Sequence, residues 1–248
     1  MIVLKSPREV ERMRASCQIV AEILALLKEY VRPGVTTLEL EELALKETRK
    51  RKAVPAFKGY AGYPYALCCS PNDRVIHGMP NAEPLKSGDV LSIDFGVLYD
   101  EFYGDAAITV PVGVVTPVAS RLLQRTEESL YQGIAQAREG GRLFDISHAV
   151  QAHVEASGYS VVRDFVGHGI GRKLHEDPQV PNYGTAGRGI QLKAGMVLAI
   201  EPMINIGSYV VKVLEDGWTA VTVDGSLSAH FEHTVAITKQ GPDILTRL

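Results

Sequence analysis

Four carboxylates stand in surroundings where a polypeptide seldom leaves them. Asp94 lies within VLSIDFGVL and Glu201 within MVLAIEPMI, runs that are apolar on either side. Asp105 follows Asp94 across a turn near Tyr99, Asp100 and Glu101, and Glu232 follows Glu201 across a longer excursion. Burying an unpaired carboxylate costs several kcal/mol, so protons, organic cations or metal must compensate it. Arginine and lysine are scarce in these runs. Should the four acids converge, two divalent cations cancel their charge and still hold a hydroxide, so charge balance favours two metals over one. Plainer readings exist. Asp105, after Gly104, could end a strand and face water; Glu201, between Ile200 and Pro202, fits that reading less well. A carboxylate pair working without metal, as in a glycosidase, leaves two further acids and the histidines without a task.

The segment Phe165 to Pro178, FVGHGIGRKLHEDP, adds His168 and His175, with Gly167, Gly169 and Gly171 crowded around the first. The glycines predict an irregular loop in which backbone comes close to something. A histidine there can ligate a metal that carboxylates also hold. His175, seven residues on, is expected on the substrate side, and His77 in RVIHGMP is a similar candidate. GHGIG also reads as a plain turn or a phosphate loop, but no strand–GxGxxG–helix context accompanies it. His148 and His153 read as surface residues of a helix, and His233, beside Glu232 in a strand, points to the opposite face; none of the three is assigned a role.

These side chains need a frame, and the chain builds one twice. LKSGDVLSIDFG at Leu85 matches LKAGMVLAIEPM at Leu192, setting Asp94 opposite Glu201 at an offset of 107 residues. Near that offset Phe57 falls opposite Phe165, and Gly34 opposite Gly140. The spacing reads as two copies of one unit, about 1–110 and 111–248, related by a pseudo-twofold axis within a single catalytic domain, 1–248. Ser6 with Glu9 and Thr36 with Glu39 have capping-box spacing, and Pro7 suits a first helical turn. Val10, Met13, Cys17, Val20, Leu24 and Leu27 mark one face of the first helix, which Pro33 and Gly34 stop. The second runs to about Arg51. Pro117 to Arg138 and Asp145 to Ser157 are the matching pair, interrupted by Gly140 and Gly158. Strand-like runs follow each pair: VLSIDFGVL, EFYGDAAITV, GMVLAIEPMI, WTAVTV and HFEHTVAIT. The class is α+β, with helices covering the outer face of a curved antiparallel sheet.

The composition is that of an ordinary globular protein, 46% hydrophobic and 22% charged over 248 residues. A net charge of −3 offers no electrostatic case for nucleic acid or an anionic membrane. No apolar run approaches the ~18 residues a bilayer span needs. The opening MIVLKSPREVERMR turns charged too soon for a secretory signal. Three cysteines, two of them adjacent, make no closed disulfide set and suit the reducing cytoplasm.

VIHGMP, LSIDFG with YGDAAIT, GHGIGRKLHEDP, LAIEPM and SLSAHFEHTVAIT, in this order, resemble the type I methionine aminopeptidases of the short bacterial form, across essentially the whole chain. The resemblance implies the duplicated pita-bread fold and removal of the initiator methionine from nascent proteins, with preference for a small second residue. It implies that Asp94, Asp105, His168, Glu201 and Glu232 hold two divalent metal ions, cobalt, manganese, iron or zinc, with Asp105 and Glu232 bridging. A metal-bridging hydroxide would be the nucleophile, Glu201 the proton shuttle, His175 the donor to the developing oxyanion, and His77 a contact to the backbone beyond it. The methionine slot would be formed by Phe57, Tyr60, Tyr63, Cys68, His77, Leu174 and Trp218, together with His175. Phe57 stands where many members have cysteine, and Leu174 where many have phenylalanine. A monovalent cation near Asn72 and Ser228, a monomeric state and the N-terminus of a nascent chain at the ribosome as partner follow from the same resemblance. Aminopeptidase P and prolidase share the five ligands, but usually carry a further N-terminal domain; here the metal-binding half begins almost at once. A ligand-deficient binding protein of the same fold would lack residues that this chain retains.

Overall fold

The computed structural model describes residues 1–248. Helix α1 spans Pro7–Tyr30, with Ser6 accepting from the Glu9 N–H and the Glu9 carboxylate accepting from the Ser6 N–H. Helix α2, Thr37–Lys50, repeats that box with Thr36 and Glu39. The matching pair is α3, Pro117–Gln136, and α4, Leu143–Glu155. Helix α4 starts two residues before the predicted Asp145. Asp145 lies within the first turn and its carboxylate reaches back 2.8 Å to the Arg142 N–H, the part an N3 acid plays rather than a cap.

The principal sheet has nine strands, all neighbours antiparallel. Its centre is the pair Phe102–Pro111 and Glu232–Thr238. Outward on one side lie Val90–Tyr99 and then Leu67–Pro71; on the other lie Val197–Ile200 and then Gly167–Gly169. The second half of the chain thus reads outward from the centre in the same inverted order as the first, as a twofold relation between halves requires.

Residues that lie opposite across an antiparallel ladder share a face, as do residues two apart along a strand. Asp94 lies opposite Ala107, and Ala107 lies opposite Glu232 on its other side. Asp105 is two residues from Ala107. Thr234 is two from Glu232 and opposite Ala199, which is opposite His168. Glu201 is two residues beyond Ala199. Register therefore brings Asp94, Asp105, His168 and Glu232 to one face, with alanine, glycine and threonine between them leaving room, and Glu201, one residue past the end of its ladder, joins them in the same cavity.

The alternate residues build the other face. Ile93, Phe95 and Val97 pack against Val20, Ile23, Leu24 and Leu27 of α1. Leu198, Ile200, Val235 and Ile237 pack against Leu122, Leu130, Ile134 and Ile146 of α3 and α4. Each such side chain, fully buried, contributes about 1.5–3 kcal/mol. The face that stabilises the fold and the face that carries the acids are therefore separate. No helix is long and apolar enough to cross a membrane.

Two predicted strands are broken, both beside ligands. MVLAIEPMI divides at Glu201–Pro202 into Val197–Ile200 and Met203–Asn205, because proline lacks the N–H that the ladder needs. HFEHTVAIT divides at Phe231, with Ser228–His230 pairing with Met203–Asn205 in a second sheet. Glu201 and Glu232 thus stand where the chain passes between sheets.

Candidate metal centre and substrate pocket

His168 corrects an expectation. It lies not in an irregular loop but in the strand Gly167–Gly169, and it is buried. The glycines admit neighbouring backbone rather than a ligand. A Cβ on Gly167 would stand 2.3 Å from the Ala199 carbonyl oxygen, and one on Gly169 would stand 2.2 Å from that of Asp177. The imidazole is set by its own strand: Nδ1 donates to the Gly169 carbonyl at 2.9 Å, which leaves the Nε2 lone pair facing the acids and free to ligate a cation. Nε2 lies 3.6 Å from Glu201 Oε1 and 4.0 Å from Asp105 Oδ2.

Asp94, Asp105, Glu201 and Glu232 are all buried, so the strand-end reading of Asp105 does not hold. Ligand atoms of Asp105, His168 and Glu232 lie within 4.8 Å of one another, and Asp94 and Glu201 line the same cavity. Asp94 Oδ1, Asp105 Oδ1 and Glu232 Oε1 are buried without any hydrogen-bond partner. No lysine or arginine forms an ion pair with any of the four. An oxygen-rich set with one imidazole and orphaned carboxylate oxygens fits divalent cations well.

Burial drives the carboxyls of Asp105 and Glu232 well above the usual range, and the neighbouring acids push them further; burial does the same to Glu201. Asp94 is pushed to about 7, chiefly by burial. The opposite holds for His168, which burial lowers to about 3. A sign follows for metal binding. At pH 7 His168 is already neutral and yields no proton, whereas the acids hold protons that a cation must displace. Metal affinity should therefore rise with pH through neutrality, with protons released on binding. Calorimetry in buffers of different ionisation enthalpy measures this; a pH-independent affinity without proton release would contradict it.

Above the acids is a cavity of about 150 Å³. Phe57, Tyr63, Cys68, Leu174 and Trp218 line its apolar part, with Tyr60, His77 and His175 at the polar side. Cys68 is directly opposite Asp94, so its thiol shares the acid face. The Tyr63 hydroxyl can donate to the carbonyls of Leu67 at 2.9 Å or Gly78 at 3.0 Å, and its ring meets Trp218 edge-on at 5.1 Å. His77 has φ of 60°, a left-handed conformation that costs a non-glycine residue about 1–3 kcal/mol. Burial pushes its imidazole to about 4, so it is neutral at pH 7. His175 stands at the open edge, 4.3 Å between ring centroids from His168, with Nδ1 2.7 Å from the Tyr60 hydroxyl.

The other predicted positions sort cleanly. Asn72 and Ser228 adjoin, the Ser228 N–H donating to the Asn72 carbonyl at 2.9 Å. His148 and His153 lie on α4 away from the cavity, and His233, opposite Ile200, turns from the acids to Thr246 and Tyr131. Two residues at the site escape the reading of the sequence. Ile76 adds an apolar wall. His230 is buried with Nε2 3.6 Å from Glu201 Oε2. No local signal marks it, because the strand breaks at Phe231 and His230 pairs with Met203 in the second sheet.

Comparison with known proteins agrees with this geometry. Residues 11–239 match the profile of metallopeptidase family M24. The chain is 57% identical to a methionine aminopeptidase of Clostridium perfringens, over 99% of both chains. It is 51% identical to methionine aminopeptidase 1 of Bacillus subtilis, over the whole of both. The crystal structure of methionine aminopeptidase from Thermotoga maritima superposes with a TM-score of 0.98 at 49% identity, covering both chains completely. Prolidase from Pyrococcus furiosus, at 22% identity and a TM-score of 0.80, shares the fold over 99% of this chain and 66% of its own. A pita-bread sheet with acids on one face and helices on the other, matched along its full length at half identity, has one conclusion: the chain belongs to metallopeptidase family M24, in its methionine aminopeptidase branch.

Proposed function

We propose that this protein hydrolytically removes methionine from the N-terminus of polypeptides whose second residue is small. The observation that carries the reading is the convergence of the four buried acids and His168 directly beneath a slot lined by Tyr63, Cys68 and Trp218. Asp94, Asp105, His168, Glu201 and Glu232 would hold a pair of divalent metals. When bound, these supply Lewis-acid polarisation and lower the pKa of water to near neutrality. Manganese, iron, cobalt and zinc all suit this donor set.

The chain's own residues do the rest. The cavity seats the first side chain, and the thioether of methionine suits an aromatic and sulfur-lined slot. Phe57 and Leu174, both nearly fully buried, narrow it. Glu201, whose carboxyl is raised by burial, takes a proton from attacking water and returns it to the leaving amine. His175 donates to the carbonyl oxygen as negative charge develops there. When Tyr60 donates to Nδ1, the neutral ring carries its proton on Nε2, the nitrogen free for that task. His77 contacts the backbone beyond the scissile bond. The same reading makes residues 1–248 one catalytic domain of two halves, about 1–110 and 111–248. It also includes a monovalent cation near Asn72 and Ser228, and a monomer acting in the cytoplasm on nascent chains at the ribosome.

Tyr60→Phe removes the orienting hydroxyl and nothing else. A net hydrogen-bond contribution of about 1 kcal/mol predicts a kcat about five-fold lower, with metal affinity unchanged. Steady-state kinetics with calorimetry checks it; an unchanged kcat would remove Tyr60 from the account.

The reading as a whole is tested by a Met-Xaa-Xaa peptide panel with X-proline controls, assayed by release of the free first residue. Alanine, glycine or serine at the second position should be cut, and leucine or lysine spared. Valine in place of methionine should lose roughly 10–200-fold, the usual range for missing methylene contacts. Efficient release of alanine ahead of proline, with Met-Ala peptides poor, would favour a proline-specific activity instead.

A further inference from the structure

We propose that His230 is a positioning residue for Glu201: its Nε2–H donates to Oε2 of that carboxylate and so keeps Oε1 directed at the metal-ligand cluster. The inference rests on the ligand role of Glu201 in the reading above. Its ground is a pairing of atoms. Glu201 Oε1 lies 3.6 Å from His168 Nε2, and Glu201 Oε2 lies 3.6 Å from His230 Nε2. The carboxylate is thus flanked by two imidazoles, one on each oxygen. His168, with its Nδ1 donating to the Gly169 carbonyl, presents a lone pair. His230 is 1% exposed, and its Nε2 has no hydrogen-bond partner. A buried polar nitrogen left unpaired costs about 1–3 kcal/mol, so its place needs a reason. The carboxylate oxygen it faces is that reason, and a shift of less than about 1 Å closes the bond.

The fold holds His230 for this purpose more firmly than it holds Glu201. The His230 N–H donates to Thr109 Oγ1 at 2.9 Å, and its carbonyl accepts from the same hydroxyl at 2.7 Å. Ser92 Oγ braces that hydroxyl at 2.8 Å. His230 also pairs with Met203, two residues past Glu201 in the chain. Glu201 itself stands at a strand break before Pro202, where the ladder no longer fixes it, and its carbonyl is tied by Asn182 Nδ2 at 3.0 Å. A carboxylate at such a break needs a side-chain partner to select one orientation. Partners behind metal ligands typically change metal affinity or activity by about 10–100-fold.

The test compares His230→Leu, which removes the donor, with His230→Gln, which retains one. Each full-length protein is stripped of metal and titrated with Mn²⁺ by calorimetry; kcat and KM are then measured on a Met-Ala-Ser peptide at saturating Mn²⁺. His230→Leu should bind Mn²⁺ about 10–100-fold more weakly, with a lower kcat and little change in KM. His230→Gln should stay within about three-fold of the parent in affinity, because a packing role would not be rescued by a polar side chain of different shape. Parent-like Mn²⁺ affinity in His230→Leu would overturn the proposal. So would His230→Gln falling more than ten-fold in affinity, an outcome that decides the matter even if His230→Leu does not fold. A parent protein that binds Mn²⁺ yet releases no methionine sinks the functional reading and leaves the affinity comparison intact.

Discussion

Asp105→Asn should abolish tight metal binding and reduce turnover to background while leaving the metal-free protein at least as stable as the parent. Asp105 is buried with Oδ1 unpaired, amid Asp94 and Glu201, and its carboxyl is raised well above the usual range by burial and by those neighbours. In the metal-free protein this group is a source of repulsion and desolvation, not of stability. The isosteric amide keeps the shape and cannot ionise, so the cost of burying or protonating a carboxyl there disappears and unfolding without metal should need the same or a higher temperature. With metal the order reverses. A cation at 100 times its dissociation constant stabilises the parent by about 2.7 kcal/mol, and the variant should lose that gain. Thermal unfolding with and without Mn²⁺, paired with turnover, reads both effects. Parent-like turnover in Asp105→Asn at low metal would refute the ligand assignment.

Division of labour between the two histidines carries the second large effect. His168→Ala removes the sole imidazole within the cluster of Asp105 and Glu232, so metal affinity should fall and turnover with it. His175→Ala should leave metal in place and lower kcat by roughly 10²–10³, the typical cost of one oxyanion donor. His175 stands at the cavity's open edge, is held by Tyr60 rather than by the acids, and belongs to no buried ligand group. Equal metal loss in the two variants, measured by calorimetry, would show that the division is wrong.

Much of this site is legible in the sequence because its logic is one of exceptions. A carboxylate in VLSIDFGVL violates burial rules, and Asp105 across the next turn does so again; that the two share a face with Cys68 is set by strand register and is seen only in the structure. The repeat relating Asp94 to Glu201 reports a geometry that local propensity cannot, since register between distant strands is invisible to a window of ten residues. Capping boxes at Ser6 and Thr36 are local hydrogen bonds and are read directly. What fails is whatever depends on the neighbour. Gly167 and Gly169 read as loop because their purpose, clearing the carbonyls of Ala199 and Asp177, belongs to strands elsewhere in the chain. The Glu201–Pro202 break sends the chain into a second sheet, and only the pairing of Met203 with His230 reveals it. His230 looks like any strand residue until Glu201 Oε2 is found beside it.

The most direct test of the central claim is methionine release from Met-Ala-Ser by protein stripped of metal and then titrated with Mn²⁺, with bound metal counted at each step. The acids and His168 predict no release from the stripped chain, recovery in proportion to bound Mn²⁺, and loss of that recovery in Asp105→Asn. Full release of methionine by stripped protein, with bound metal far below one ion per chain, would contradict the account.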